Sequence, residues 1–184
     1  MENKSDVILL KEIKAGNSSA LTALFNKYYQ TLCRFMFVFV PDNELVEELT
    51  ANIFIKIWTN KETVNIQTSL EAYLYRSARN QAISYLRKNK PEVLPIDDGF
   101  ELPDSNEQTP EAIYIENELN IEYVRAFQKL PPRAKLAFKL HRFDGLKYAE
   151  IAEIMGVTVS AVEKNITHAL KILHTELIQN TVAR

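Results

Sequence analysis

The stretch YAEIAEIMGVTVSAVEKNITHALKIL, residues 148–173, decides how the chain is read. It divides at Gly156 into two short amphipathic segments. In the first, Tyr148, Ile151, Ala152 and Met155 recur at helical spacing and predict one apolar side. Glycine then ends the helix, because it enters the left-handed region without steric penalty. Thr158 stands where a hydroxyl caps the following helix. That helix carries Val162, Ile166, Ala169, Leu170 and Leu173 as its apolar stripe. Ser160, Lys164, Thr167, His168 and Lys171 are left pointing the other way. Two helices with a tight break, the second outwardly polar and basic, is the plan of a helix-turn-helix whose second helix enters a DNA major groove. A plain αα-hairpin shows the same periodicity, so this stretch alone leaves both open.

The composition supports a helical setting. With 184 residues, 46% of them hydrophobic, the chain can bury one sizeable core or two small ones. Only four glycines occur, and apolar residues recur mainly at helical spacing, so an all-α protein is expected. The single cysteine, Cys33, excludes an intramolecular disulfide and a cysteine-rich zinc site. It sits in an apolar helical run and is expected to be a buried, inert thiol. His141, His168 and His174 are not at metal-ligand spacing, and no cofactor is expected. The first residues lack the basic segment and apolar core of a signal peptide, and no apolar run approaches the roughly 20 residues that cross a bilayer. The expectation is a cytoplasmic protein, not membrane-inserted.

The net charge of −2 argues against a nucleic-acid partner until its distribution is examined. Residues 73–90 hold five bases (Arg76, Arg79, Arg87, Lys88, Lys90) and no acid. Residues 91–111 hold seven acids (Glu92, Asp97, Asp98, Glu101, Asp104, Glu107, Glu111) and no base. Residues 124–175 hold nine Lys and Arg against four acids. Two basic segments therefore flank one acidic stretch, and nucleic acid responds to the local field rather than the total.

Helices are expected at about 6–14, 19–40, 43–60, 69–89, 111–130 and 132–143, before the helix-turn-helix. In the fourth, Leu74, Ala78 and Tyr85 share one side, with Arg76, Asn80 and Arg87 opposite. Four of the seven prolines fall between 91 and 110, which reads as a flexible linker. Thr109-Pro110-Glu111 is a strong helix start: hydroxyl cap, proline in the first turn, acid at the positive end of the dipole. The fold class expected is all-α, with two small helical domains, 1–90 and 111–184, joined by an acidic linker, 91–110.

Both domains, in this order, resemble a bacterial RNA polymerase sigma factor of the sigma-70 family, in its compact extracytoplasmic-function (ECF) group. VEELTANIFIKIW (46–58) is similar to the family segment that docks on the polymerase clamp. YLYRSARNQAISYLRKNK (73–90) is similar to the helix that reads the minus-ten promoter element. LPPRAKLAFKLHRFDGLKYAEIAEIMGVTVSAVEKNITHALKIL (130–173) resembles the minus-thirty-five reader. The chain departs from the pattern at Ala51-Asn52, where the family carries Gln-Glu, and at Ser84, where it carries aspartate.

The resemblance implies a factor that binds core RNA polymerase and directs it to promoter DNA. It implies Glu48, Leu49 and Asn52 as polymerase contacts. Arg76, Arg79, Arg87 and Lys88 can neutralise phosphates, which positions a strand without specifying its sequence. Asn80 matches the family's Arg-Asn pair, and its amide can meet a base edge. Residues 59–69 correspond to the family's pocket for an extruded base, a step that unstacking makes unfavourable by a few kcal/mol. Trp58 and Tyr75 are aromatic enough to stack on bases, although Trp58 continues the apolar stripe and is expected in the core. Ser160, Lys164, His168 and Lys171 are the major-groove and phosphate candidates, flanked by Asn165, with Lys147, Arg133 and Lys135 placed to hold the backbone nearby. In the family the equivalent of the acidic linker threads a basic polymerase channel. Family members are often restrained by a membrane-anchored anti-sigma partner, which is the further partner implied.

Two other functions compete. A conventional DNA-binding regulator would pair the helix-turn-helix with a sensing or dimerising domain, but such a domain has no use for the basic helix at 73–90. A helical adaptor that binds only protein would show unbiased exposed faces. An enzyme finds no support: the sequence has no phosphate-binding glycine loop, no HExxH and no nucleophile elbow.

Overall fold

The computed structural model describes residues 5–66, 69–89 and 121–182. Among these, every regular element is an α-helix, as the periodicity predicts. The chain divides into two compact units, Met1–Leu94 and Pro95–Arg184. The expected linker and the helix start at Thr109 lie outside the described residues.

The first unit holds α1 (Asp6–Lys14), α2 (Ser18–Phe37), α3 (Asn43–Thr59) and α4 (Leu70–Asn89). Three of these begin on side-chain caps. Asn17 Oδ1 accepts from Ser19 N at 3.0 Å, Asp42 Oδ1 from Leu45 N at 3.1 Å, and Ser69 Oγ from Ala72 N at 3.1 Å. Each such cap contributes about 1 kcal/mol. The core gathers Leu24, Leu32, Phe35 and Met36 of α2 with Ile53 and Ile57 of α3 and Leu74 and Tyr75 of α4. Phe35 meets the edge of Tyr75 with ring centroids 4.9 Å apart. Leu9 and Ile13 bury α1, and Asp6 accepts from Lys27 Nζ at 2.7 Å and from the Tyr28 hydroxyl at 2.5 Å.

Two expectations change in this unit. The second helix stops at Phe37 rather than Val40, because the chain turns there to bury Phe39 and Val40 ahead of Pro41, which has no N–H to continue the ladder. Cys33 is half-buried rather than buried. Burial still raises its pKa, outweighing hydrogen bonds with Thr50 and Tyr29 that lower it, so the thiol stays protonated and inert.

The second unit holds α5 (Ile121–Gln128), α6 (Pro132–Arg142), α7 (Tyr148–Met155) and α8 (Val159–Val182). Pro131 is extended at φ −55° and ψ 142°, and Pro132 opens α6 where a missing N–H is harmless. The core is Ala126, Leu130, Ala134, Phe138, Ala169 and Leu173, with Phe127, Ile172 and Leu177 packed against it. Alanines on three helices let α5 and α6 approach α8 closely. Lys129 Nζ lies 2.6 Å from Glu176 Oε2, an exposed pair that contributes at most about 1 kcal/mol.

Leu170, expected in the apolar stripe, is 53% exposed. Val162, Ile166, Ala169 and Leu173 take the covered line, and the next residue after Ala169 falls about 100° around the helix, beyond it. The helix also continues well past Leu173, to Val182.

Candidate nucleic-acid interface

The α7–α8 turn forms as its residue types dictate. Gly156 takes φ 66° and ψ 38°, and its N–H returns to the Ala152 carbonyl. Thr158 Oγ1 accepts from Ala161 N at 3.2 Å and so caps α8. At the other end of α7, Glu150 Oε2 accepts from Lys147 N at 3.0 Å. Ile151, Ala152 and Ile154 are buried, whereas Met155, expected on that side, is half-buried at its rim. His141 braces the motif from α6: Nδ1 lies 3.0 Å from the Leu146 carbonyl and the ring meets Tyr148 edge-on at 4.9 Å.

What α8 leaves outside is the expected face. Ser160, Lys164, Thr167, His168 and Lys171 are all exposed, and their spacing of three and four residues lines them along one side. Asn165 is half-buried and donates from Nδ2 to the Ala161 carbonyl at 2.9 Å, so one amide N–H is committed to its own helix. Lys147 is exposed and Arg133 half-buried. Lys135 turns toward α5, with Nζ 3.2 Å from the Gln128 carbonyl and 6.0 Å from the Phe127 ring centre.

In the first unit, α4 separates its residues by role. Leu74, Tyr75, Ala78, Ala82 and Leu86 are buried, and Arg76, Asn80, Ser84, Arg87 and Lys88 are exposed. Arg79 stands about a quarter turn off that ridge and is half-buried. Burial pushes its guanidinium below the usual arginine range, and repulsion from Arg87 adds to this. It therefore differs in environment from Arg76 and Arg87, the other phosphate candidates, because part of its surface already faces protein.

Both aromatic candidates are corrected. Tyr75 has no exposed surface and packs against Phe35, so it cannot stack on a base. Trp58, expected in the core, is half-buried, with Lys61 Nζ 4.8 Å above its ring. The aromatic ring that the sequence missed on α4 is Tyr73, which is half-exposed. Tyr73 lines a groove of about 630 Å³ between α3 and α4. Gln81 crosses this groove, donating from Nε2 to the Leu49 carbonyl at 3.1 Å.

The docking candidates on α3 do not share one environment. Glu48 is exposed and Asn52 half-buried on the same side. Leu49 is half-buried and turns toward the α4 groove. Ile55, which the sequence reading did not single out, is 56% exposed. It lies seven residues from Glu48 and therefore on the same face. The sequence held the signal, since Val46, Ile53 and Ile57 already complete the stripe without it.

Comparison with known families now bears on these two surfaces. Sigma-70 region 2 matches residues 24–92 and Sigma-70, region 4 matches residues 121–173, about two thirds of the chain together. The chain belongs to the sigma-70 family. Its region 2 spans α2 to α4, with the exposed ridge of α4; its region 4 runs from α5 into α8 and contains the helix-turn-helix. Among relatives, it is 27% identical to the ECF RNA polymerase sigma-E factor of Escherichia coli (strain K12) over 176 residues, covering 91% of this chain and 92% of that protein. The ECF RNA polymerase sigma-E factor of Haemophilus influenzae is also 27% identical, over 191 residues, 98% of this chain and 97% of that protein. The fold is shared with CnrH, solved in complex with the cytosolic domain of CnrY (TM-score 0.61, 18% identity, 96% of this chain and 99% of that one). It is shared too with the sigma factor RpoE of Bartonella quintana, solved with the anti-sigma factor NepR (TM-score 0.55, 18% identity, 85% and 95%). Among the described residues, no helix of this sigma-70 member is long and apolar enough to cross a membrane.

Proposed function

We infer that this chain is an ECF sigma factor that binds core RNA polymerase and directs it to a promoter of two elements. The observation that carries this is the paired arrangement: two helical units, matching regions 2 and 4, each turn a basic helix face outward opposite a buried apolar line. In region 4, Ser160, Lys164, His168 and Lys171 face a duplex major groove and its phosphates, with Lys147 and Arg133 beside them. In region 2, Arg76, Asn80, Arg87 and Lys88 hold the melted downstream element, Asn80 meeting a base edge and the cations its phosphates. Arg79 supports this ridge from its flank. Glu48, Asn52 and Ile55 form the face offered to polymerase, with Leu49 at its border.

On this reading region 2 lies in 1–90, an acidic linker at 91–110 and region 4 in 111–184. The factor works in the cytoplasm, where its polymerase is, by positioning rather than by catalysis. The RpoE structure, solved with an anti-sigma factor, supports a partner of that type for this chain as well. Core binding tests the assignment. The full chain should co-elute with core polymerase, and Glu48→Lys should displace it. A chain that never associates with core would refute the assignment.

A further inference from the structure

The peptide between Leu146 and Lys147, at the entry to α7, is held from both edges. Its carbonyl lies 3.0 Å from His141 Nδ1, and its N–H donates to Glu150 Oε2 at 3.0 Å. These two groups belong to one planar unit, so the two bonds fix its orientation. A third bond, from Leu146 N to the Leu140 carbonyl at 3.0 Å, ties the same residue to α6. Such fixing matters here because Gly145 takes φ 70° immediately upstream, and a residue without a Cβ leaves the direction of the chain open.

Lys147 does not hold itself in place. It occupies the N-cap position of α7 without a side-chain cap bond, since an ammonium has no lone pair to offer an N–H. Its side chain is exposed and, among the described residues, has no carboxylate partner. The position thus presents a cation where a capping oxygen is usual, and neighbours aim its backbone. One of them is His141, which is itself exposed and fills no core space. A carbonyl only accepts, so His141 Nδ1 carries the hydrogen, in the neutral ring and the charged ring alike. The ring meets Tyr148 edge-on with centroids 4.9 Å apart, which restricts its rotation.

We propose that His141 is a positioning residue for duplex binding: its Nδ1–H holds the 146–147 peptide so that Lys147 stands against a DNA phosphate. This rests on the duplex role of region 4. It adds to that role a residue of α6, outside the helix-turn-helix itself.

The test uses the full chain and a fluorescent mixed-sequence DNA duplex, with anisotropy read from 50 to 200 mM salt. Lys147→Gln removes one phosphate contact and should lower the log–log salt slope by about 0.9, roughly eightfold in affinity at 0.1 M salt. His141→Ala should approach the same loss, and should add nothing once Lys147 is already replaced. His141→Asn, whose Nδ2 stands two bonds from Cβ as Nδ1 does, should bind as the wild type does. His141→Gln, with its amide one carbon further out, should bind no better than His141→Ala. A merely structural histidine would lower the urea midpoint and leave the salt slope unchanged. A wild-type slope for His141→Ala, or a loss that adds in full to that of Lys147→Gln, would overturn the proposal. Failure of His141→Asn to restore binding would overturn it too, because the ring would then touch DNA directly. If Lys164→Ala plus Lys171→Ala also kept the wild-type slope, the duplex role of region 4 would fall as well; if that pair alone weakened binding, only the role of His141 would.

Discussion

Replacing Lys164 and Lys171 together by alanine removes two cations from the exposed face of α8 while leaving its core line intact. The two are seven residues apart, so they lie two turns along one side, about 10.5 Å apart along the axis. Neither has an acid partner among the described residues, so each is available to a phosphate. On duplex DNA each contact contributes about 0.9 to the log–log salt slope, and losing both lowers it by about 1.8. At 0.1 M salt that is roughly a sixtyfold loss of affinity, or about 2.4 kcal/mol. Because phosphate contacts do not depend on sequence, a mixed-sequence duplex serves as the probe, with affinity measured from 50 to 200 mM salt. Stability should change by less than about 0.5 kcal/mol, since both side chains are exposed. Lys129→Ala is the control: it removes the same charge, but from a side chain already paired with Glu176. An unchanged slope for the double variant, or an equal loss for Lys129→Ala, would refute α8 as the duplex reader.

Other perturbations test the frame and the docking face. Ile55→Ala, at a 56% exposed site, should weaken core-polymerase binding about tenfold as the apolar anchor of the α3 face, with the melting temperature unchanged; normal binding in a pull-down titration would remove Ile55 from the interface. Gly156→Ala forces a left-handed residue to carry a Cβ at φ 66°, so unit 2 should lose about 1–2 kcal/mol in urea unfolding along with duplex binding. Burial, then the hydrogen bond to Asp6 and repulsion from Glu71 and Asp6, raise the Tyr28 pKa above the usual tyrosine range. The folded state keeps this proton after the unfolded chain has lost it, so its contribution is full below about pH 10 and declines above, by up to about 1.4 kcal/mol per pH unit. Tyr28→Phe should flatten that alkaline decline in denaturation curves, and an unchanged profile would contradict the assignment.

Most of what local chemistry controls could be read from the chain. Thr158 caps the helix it was expected to cap, Ser69 and Asp42 cap theirs as their residue types allow, and Gly156 adopts the backbone that glycine alone takes cheaply. The basic ridges of α4 and α8 were also visible, since each lies opposite an apolar line of helical period. What escaped was the width of each buried arc. Helix α4 packs against both α2 and α3, so its covered arc widens to include Tyr75, while Tyr73 two residues earlier remains at an open edge. On α3 and α8 the opposite happens: no described helix covers the flank of Ile55 or Leu170, and apolar periodicity cannot say which flank stays bare. Arg79 shows the same limit, because its charge was legible and its partial burial was not.

Run-off transcription with core RNA polymerase, with and without the full chain, on templates carrying promoters from its own genome decides the function. Specific transcripts should appear only with the chain, be lost with Lys164→Ala plus Lys171→Ala on a duplex template, and with Arg76→Ala fail at opening yet recover on a template whose downstream element is already unpaired. No chain-dependent transcript on any template, with no association with core, would contradict a sigma factor; the same recovery pattern for both sets of variants would contradict the division of labour between α8 and α4.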